Sequence, residues 1–202
     1  MFVTFEGIDG VGKTTHINLA AEFLRGHGLT VFTTHQPGAT EIGQFARKQV
    51  LENPDLCDAA RLMLFLADRA EHCDKVIVPS LKTHNVVICD RYFDSTFAYQ
   101  GYGQQMNLPL IRIANTLTNA PQPDITFLLD APVQFVEERL DGNFFEDKRD
   151  LLARAKDGFI TEMNESKRPS RWRWIDATRD KEAVATQIAS ELDQYLSQYK
   201  AH

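Results

Sequence analysis

The stretch EGIDGVGKTT, Glu6 to Thr15, decides how the rest of the chain is read. From Gly7 it matches G-x-x-x-x-G-K-[ST] in full. The spacing has a mechanical meaning. Glycines let the backbone curl so that successive N–H groups converge on phosphate oxygens. The lysine, here Lys13, reaches the outer phosphates, and the hydroxyl of Thr14 is placed to ligate Mg²⁺. The following helix turns its positive N-terminal end to the same anion. Context supports the match. MFVTFE before it is short, apolar and β-rich, as a buried strand is. THINLAAEFLRGHG after it carries Ile17, Leu19, Ala20, Phe23 and Leu24 at helical spacing, with Gly26 or Gly28 as a stop. Strand, loop, helix is the order the motif requires.

The rest of the chain suits a soluble globular protein. Of 202 residues, 43% are hydrophobic and 25% charged, and the length matches one domain, 1–202, with a sizeable core. The net charge of −6 argues against a general nucleic-acid coat, so a polyanionic ligand must be met by locally placed cations. Without 18 consecutive apolar residues no membrane span is expected. The chain enters its first strand directly, which leaves no room for a signal peptide. Cys57, Cys73 and Cys89 are odd in number and lack metal spacing, so they read as thiols in a reducing compartment, and a cytoplasmic location is expected.

Apolar runs alternate with helical patterns. LTVFTT (29–34), VVICD (86–90), ITFLLD (125–130) and, more weakly, WRWID (172–176) are further strand candidates. Helical segments are expected near 41–52, 56–83, 94–102, 108–119, 133–140, 148–165 and 180–199. This alternation predicts an α/β fold, a five-stranded parallel sheet covered by helices on both faces. Ligands of such sheets bind beyond the carboxyl ends of the strands. Asp90, Arg91 and Asp94 fall there. Asp90 can serve Mg²⁺, directly or through water, or simply cap the strand. Arg91 offers a planar fork for two phosphate oxygens, or is a solvated surface residue. On a helix Ser95 and Tyr99 share a face, and Gln100 follows.

FVTFEGIDGVGKTT, LMLFLADRAEH, VVICDRYFDSTFAYQG and PDITFLLDAP occur in this order over nearly the whole chain. Together they resemble the thymidylate kinases, P-loop nucleoside monophosphate kinases that make dTDP from dTMP and ATP. The resemblance implies a P-loop NTPase fold with a short lid, a homodimer, and Mg²⁺ bound with ATP. It implies that Gly7, Ile8, Asp9, Gly10, Val11, Gly12, Lys13, Thr14 and Thr15 hold ATP. Asp9 would also meet the acceptor sugar, Phe65 would stack on thymine, and Arg69 would bond the base edge near the acceptor phosphate. Arg91 would grip that phosphate, Ser95 and Gln100 would face the base region, and Tyr99 would crowd the sugar 2′ position. Thr14 and Asp90 would serve the metal.

The chain departs from the family pattern twice. The usual R-E-P-G after the second strand is here H-Q-P-G, with His35 and Gln36 in place of the two charges. A neutral His is a poor substitute for a bidentate Arg, while Gln36 no longer needs a cation nearby. The lid, about 139–156, reads RLDGNFFEDKRDLLARAK without the usual lid arginine. Arg139, Lys148, Arg149 and Arg154 remain as candidates, with Arg149 over the phosphates and Arg139 on adenine. Alternatively Lys148, Arg149 and Arg154 are a solvated face paired with Glu146, Asp147 and Asp150. Gly142 and Asn143 suit a hinge.

Other readings remain open. They are a kinase with broader monophosphate choice, one acting on a nucleoside or nucleic-acid hydroxyl, and a nucleotide-binding protein without catalysis. KRPSRWRW (167–174) is basic with interleaved tryptophans, as single-strand binders can be, but it also reads as the approach to the fifth strand.

Overall fold

The computed structural model describes residues 1–137, 139 and 146–199. Each apolar run forms a strand. β1 (Phe2–Glu6), β2 (Val31–His35), β3 (Val86–Asp90), β4 (Ile125–Asp130) and β5 (Trp172–Asp176) pair in parallel in the order β2-β3-β1-β4-β5. β1 is buried at every residue, and β3 and β4 at all but the last, as inner strands with both faces covered must be. Alternate residues face opposite sides. Val86 and Ile88 join one apolar cluster, Val87 and Cys89 the other.

On the first side α1 (Lys13–Gly26) buries Ile17, Ala20, Ala21 and Leu24. Beside it α9 (Lys181–Tyr199) buries Val184, Ile188 and Leu192. On the second side α3 (Asp58–His72) buries Leu62 and Leu66. α2 (Glu41–Glu52) packs on α3 and is capped by Thr40, whose Oγ1 accepts from Gly43 N at 3.0 Å.

Two helices differ from the expectation. The segment expected as one helix over 56–83 widens to a π turn at Cys73–Ile77 before α4 (Val78–Thr83). Pro79 supplies the reason. It has no N–H, and its ring would strike the carbonyl four residues back. Beyond β3, α5 (Phe93–Thr96) opens likewise into a π turn over Phe97–Gly103. That turn packs along α8 (Glu146–Asn164), where Gly158 is needed because a Cβ there would sit 2.8 Å from the Tyr102 ring. α6 (Leu108–Thr116) and α7 (Val133–Glu137) complete the described helices. β2 reaches one residue further than expected, so His35 pairs in register with Asp90.

Candidate active site

The carboxyl ends of β1, β2 and β3 open into one cleft of about 1000 Å³. Gly7, at φ 134°, leaves β1 so close to β4 that a Cβ would lie 2.3 Å from the Leu129 carbonyl oxygen. Only glycine permits that exit. Ile8 and Val11 point into the core, so they offer backbone alone. Asp9, Gly10, Gly12, Lys13, Thr14 and Thr15 line the cleft. Lys13 is buried, and its Nζ donates to the Gly7 and Ile8 carbonyls at 3.1 and 2.9 Å. Burial, then the charge of Arg91, hold its pKa down to about 7.

Facing the loop is Arg91, at φ 63°, a left-handed conformation uncommon outside glycine and characteristic of functional sites. Its backbone N–H extends the sheet to the Phe5 carbonyl at 3.0 Å. Its side chain turns back to the loop. Nη2 donates to Asp9 Oδ1 at 2.7 Å, and Nη1 to Gly7 O at 3.0 Å and Ser95 Oγ at 3.2 Å. The guanidinium lies 5.2 Å from the Tyr99 ring centre, and Tyr99 O–H donates to Asp9 Oδ2 at 3.0 Å. Desolvation pushes the Asp9 pKa up, but Arg91 and then Lys13 outweigh it and hold the carboxyl below its usual range. Asp9, Arg91, Ser95 and Tyr99, read as one site from sequence, thus form one bonded cluster. Phe65, Arg69 and Gln100 line the same cleft.

Beneath the cluster lies buried Glu6. It accepts from Tyr92 N at 2.7 Å and Ser95 Oγ at 2.5 Å. Burial, then the charge of Asp94, raise its pKa to about 7. The folded protein therefore holds this proton more tightly than the unfolded chain. Its stabilising effect is full below pH 4.5 and declines as pH rises to about 7. Urea unfolding of wild type and Glu6→Gln from pH 4.5 to 7.5 should give a stability difference that falls with pH in wild type's disfavour. A flat or rising difference contradicts this.

The metal-ligating residues expected from sequence meet. Thr14 Oγ1 donates to Asp90 Oδ2 at 3.0 Å. Asp90 Oδ1 is buried without a hydrogen-bond partner among the described residues, an orphan that a cation or its water shell would satisfy. One hydroxyl and one carboxylate fit Mg²⁺, which takes few protein ligands and completes its shell with water and phosphate oxygens.

A family model for thymidylate kinase matches residues 5–188. The chain belongs to the thymidylate kinase family. It is 38% identical over 211 residues to the thymidylate kinase of Desulfovibrio desulfuricans, covering 97% of this chain and 96% of that one. It is 42% identical over 193 residues to that of Synechococcus sp. (strain JA-3-3Ab), covering 94% of each. The crystal structure of thymidylate kinase from Ehrlichia chaffeensis superposes with a TM-score of 0.77 at 35% identity, over 98% of both chains. The five-stranded sheet is accordingly that of the P-loop NTPase fold.

Against the pattern of thymidylate kinases, the altered H-Q-P-G segment acquires a structural meaning. His35 is exposed on the cleft wall. Gln36 is buried and, contrary to the expectation that it needs no cation, sits on one: its Oε1 accepts from Arg69 Nε at 3.1 Å. Arg69 is 3% exposed and further donates to Asn115 Oδ1, the Tyr92 carbonyl and Thr96 Oγ1. The arginines expected in a lid stand outside the cleft lining. Arg139 lies over the Phe135 ring at 4.1 Å, and Arg149 pairs with Glu137. Arg154 Nε donates to the Gly103 carbonyl at 2.8 Å, which docks α8 on the π turn. The expected hinge at Gly142 and Asn143 lies outside the described residues.

Arg47, Arg61 and Gln104 also line the cleft and escaped the sequence reading. Arg47 lies one helical turn beyond Gly43, on the face that α2 turns to the Pro37–Gly38 turn, where its Nη1 donates to the Pro37 carbonyl at 3.4 Å. The basic run 167–174 is partly absorbed by the fold, with Lys167, Arg168 and Trp174 left exposed. Arg171 and Trp172 are buried, and Arg173 pairs with Glu191 at 2.6 Å.

Proposed function

We propose that the protein transfers the γ-phosphoryl group of ATP to dTMP, giving dTDP and ADP. The observation that carries this is the direct bonding of the phosphate loop to the segment after β3, through Asp9, Arg91 and Tyr99. Both segments line one cleft, which supports a donor and an acceptor bound side by side. Catalysis of this kind is mainly alignment and charge neutralisation. The loop from Gly7 to Thr15 holds the triphosphate, and Lys13 exchanges its two carbonyl partners for phosphate oxygens. Thr14 and Asp90 would hold Mg²⁺, which would supply charge neutralisation to the phosphates. Arg91 and Arg47 hold the acceptor phosphate, Phe65 stacks on the base, and Arg69, Ser95 and Gln100 face it. Tyr99 crowds the sugar 2′ position. Arg149 and Arg139 belong to a lid, about 139–156, of a single kinase domain, and close over ATP.

The test is coupled ADP release with ATP and Mg²⁺ against dTMP, dUMP, dCMP, dGMP, dAMP, UMP and thymidine. Fast turnover with dTMP alone is the expected result. Turnover with thymidine and not with dTMP would overturn the acceptor-phosphate role of Arg91. His35→Arg adds the missing cation to the cleft wall. It is expected to lower the KM for dTMP by about tenfold, one charge-assisted bond's worth, and to leave the KM for ATP unchanged. Unaltered dTMP kinetics would place residue 35 away from the phosphate.

The protein is further read as a cytoplasmic homodimer. No described helix is long and apolar enough to cross a membrane. Ile42 and Phe45 on α2, Met63 on α3, Leu110 and Ile113 on α6, and Leu117 just after it are exposed. These helices adjoin, since α2 packs on α3 and Arg69 of α3 bonds Asn115 of α6. Such a face suits a second copy. Ile113→Asp should halve the mass read by light scattering, and an unchanged dimer would exclude this face.

A further inference from the structure

A buried chain of polar groups at the end of β2 is not used by phosphoryl transfer. It runs from Arg69 Nε to Gln36 Oε1 at 3.1 Å, from Gln36 Nε2 to His72 Nδ1 at 2.9 Å, and from His72 Nε2 to Thr34 Oγ1 at 2.7 Å. His72 is 0% exposed and Gln36 5%. The polarity of the whole chain follows from one end. A guanidinium has no acceptor, so Gln36 must present its carbonyl to Arg69 and its amide N–H to His72. His72 Nδ1 then carries the lone pair. Its proton sits on Nε2 and is donated to Thr34. Burial, then His35 on β2 and Arg69 on the same helix, hold the His72 pKa down to about 4, so the ring is neutral as this polarity needs.

The other end of the chain bears on the acceptor. Arg69 has five N–H groups. Nε is spent on Gln36, one Nη1 hydrogen on Asn115, and both Nη2 hydrogens on Tyr92 O and Thr96. Among the described residues one Nη1 hydrogen is left, on a residue that lines the cleft. Its direction depends on how the guanidinium plane is held, and Gln36 holds one edge of that plane.

We propose that Gln36 and His72 are positioning residues for the acceptor nucleotide, orienting Arg69 so that its one uncommitted N–H meets a carbonyl of the acceptor base. This rests on the reading that the cleft takes a nucleoside monophosphate. Gln36 is suited because an amide both accepts and donates. A leucine in its place does neither. A glutamate still accepts from Arg69 but cannot donate to His72, so the ring must switch tautomer or take a proton.

Two measurements on the full chain test this, one of them free of any substrate. In ¹⁵N NMR, His72 of the wild type should be the Nε2–H tautomer. Gln36→Glu should move the proton to Nδ1 or charge the ring, and Gln36→Leu should shift the Arg69 Nε–H resonance. In kinetics, Gln36→Leu should raise the KM for dTMP about tenfold, as expected for one lost bond to a charged group, with the KM for ATP unchanged. Gln36→Glu should recover most of that loss, which a purely structural role does not predict. An Nδ1–H tautomer in the wild type overturns the proposal. So does an unchanged dTMP KM in folded Gln36→Leu. Should Gln36→Leu fail to fold, His72 and the Arg69 Nε–H of Gln36→Glu still decide the matter. A wild type that turns over no monophosphate overturns the functional reading instead, while the tautomer and the Arg69 resonance continue to judge the positioning chain.

Discussion

Lys13→Met is expected to lower kcat by about 10²–10³ with the fold intact. Lys13 is the cation placed inside the loop curl, and its removal takes charge from the site where charge develops in the transition state. The loop itself should survive. Gly7 and Gly12 reach their positive φ because they lack a Cβ, and a methionine of similar length fills the buried space, although the two bonds from Lys13 Nζ to the Gly7 and Ile8 carbonyls are lost. The same residue predicts a proton signature. With its pKa held down to about 7, Lys13 is partly neutral above that pH. A triphosphate beside it favours the charged form. ATP binding at pH 8 should therefore take up a proton, read by calorimetry in buffers of different ionisation enthalpy. Lys13→Met should bind ATP without that uptake. Equal uptake in wild type and variant would assign the proton to another group.

Arg171→Met should destabilise the fold by about 3–5 kcal/mol and lower Tm by about 10 °C. Arg171 Nη1 and Nη2 donate to the two oxygens of Asp94 at 2.9 and 2.7 Å, and Nη1 also donates to Thr126 Oγ1. Both partners are buried, Asp94 at 1% exposed. Such a pair gains little over an apolar replacement, because desolvation offsets the attraction. Breaking it is another matter, since the lone carboxylate stays buried. The double variant Asp94→Leu/Arg171→Met should thus be more stable than Arg171→Met alone, a coupling that a double-mutant cycle reads directly. A loss below about 1 kcal/mol in Arg171→Met would mean that water reaches Asp94. Per folded molecule, turnover should change little, because Arg171 does not line the cleft.

These two residues mark how the sequence was legible. The strand, loop and helix around Lys13 were legible from eight letters, because the loop is a local device whose parts are contiguous. The strands were legible for the same reason. Inner strands of a parallel sheet are apolar on both faces, so they stand out as short runs between helical patterns. Arg171 was not legible. It lies in a basic run that also suits a nucleic-acid surface, and its partner Asp94 is 77 residues away. Asp94 in turn fell among the residues just beyond the carboxyl end of the third strand, where ligands bind. The two π turns escaped because they change neither the apolar pattern nor the helix caps.

The order of the chain by itself determined the fold class, the phosphate loop and the family, because each rests on local spacing and on motifs met in sequence order. Only the tertiary structure decided which charges are spent on one another. Arg91 meets Asp9 across 82 residues, and Arg69 meets Gln36 across 33. A side chain's partner depends on where separate strands and helices bring it, and in the interior an unpartnered charge is too costly to persist. Pairing therefore follows burial and topology, which no short window of sequence contains.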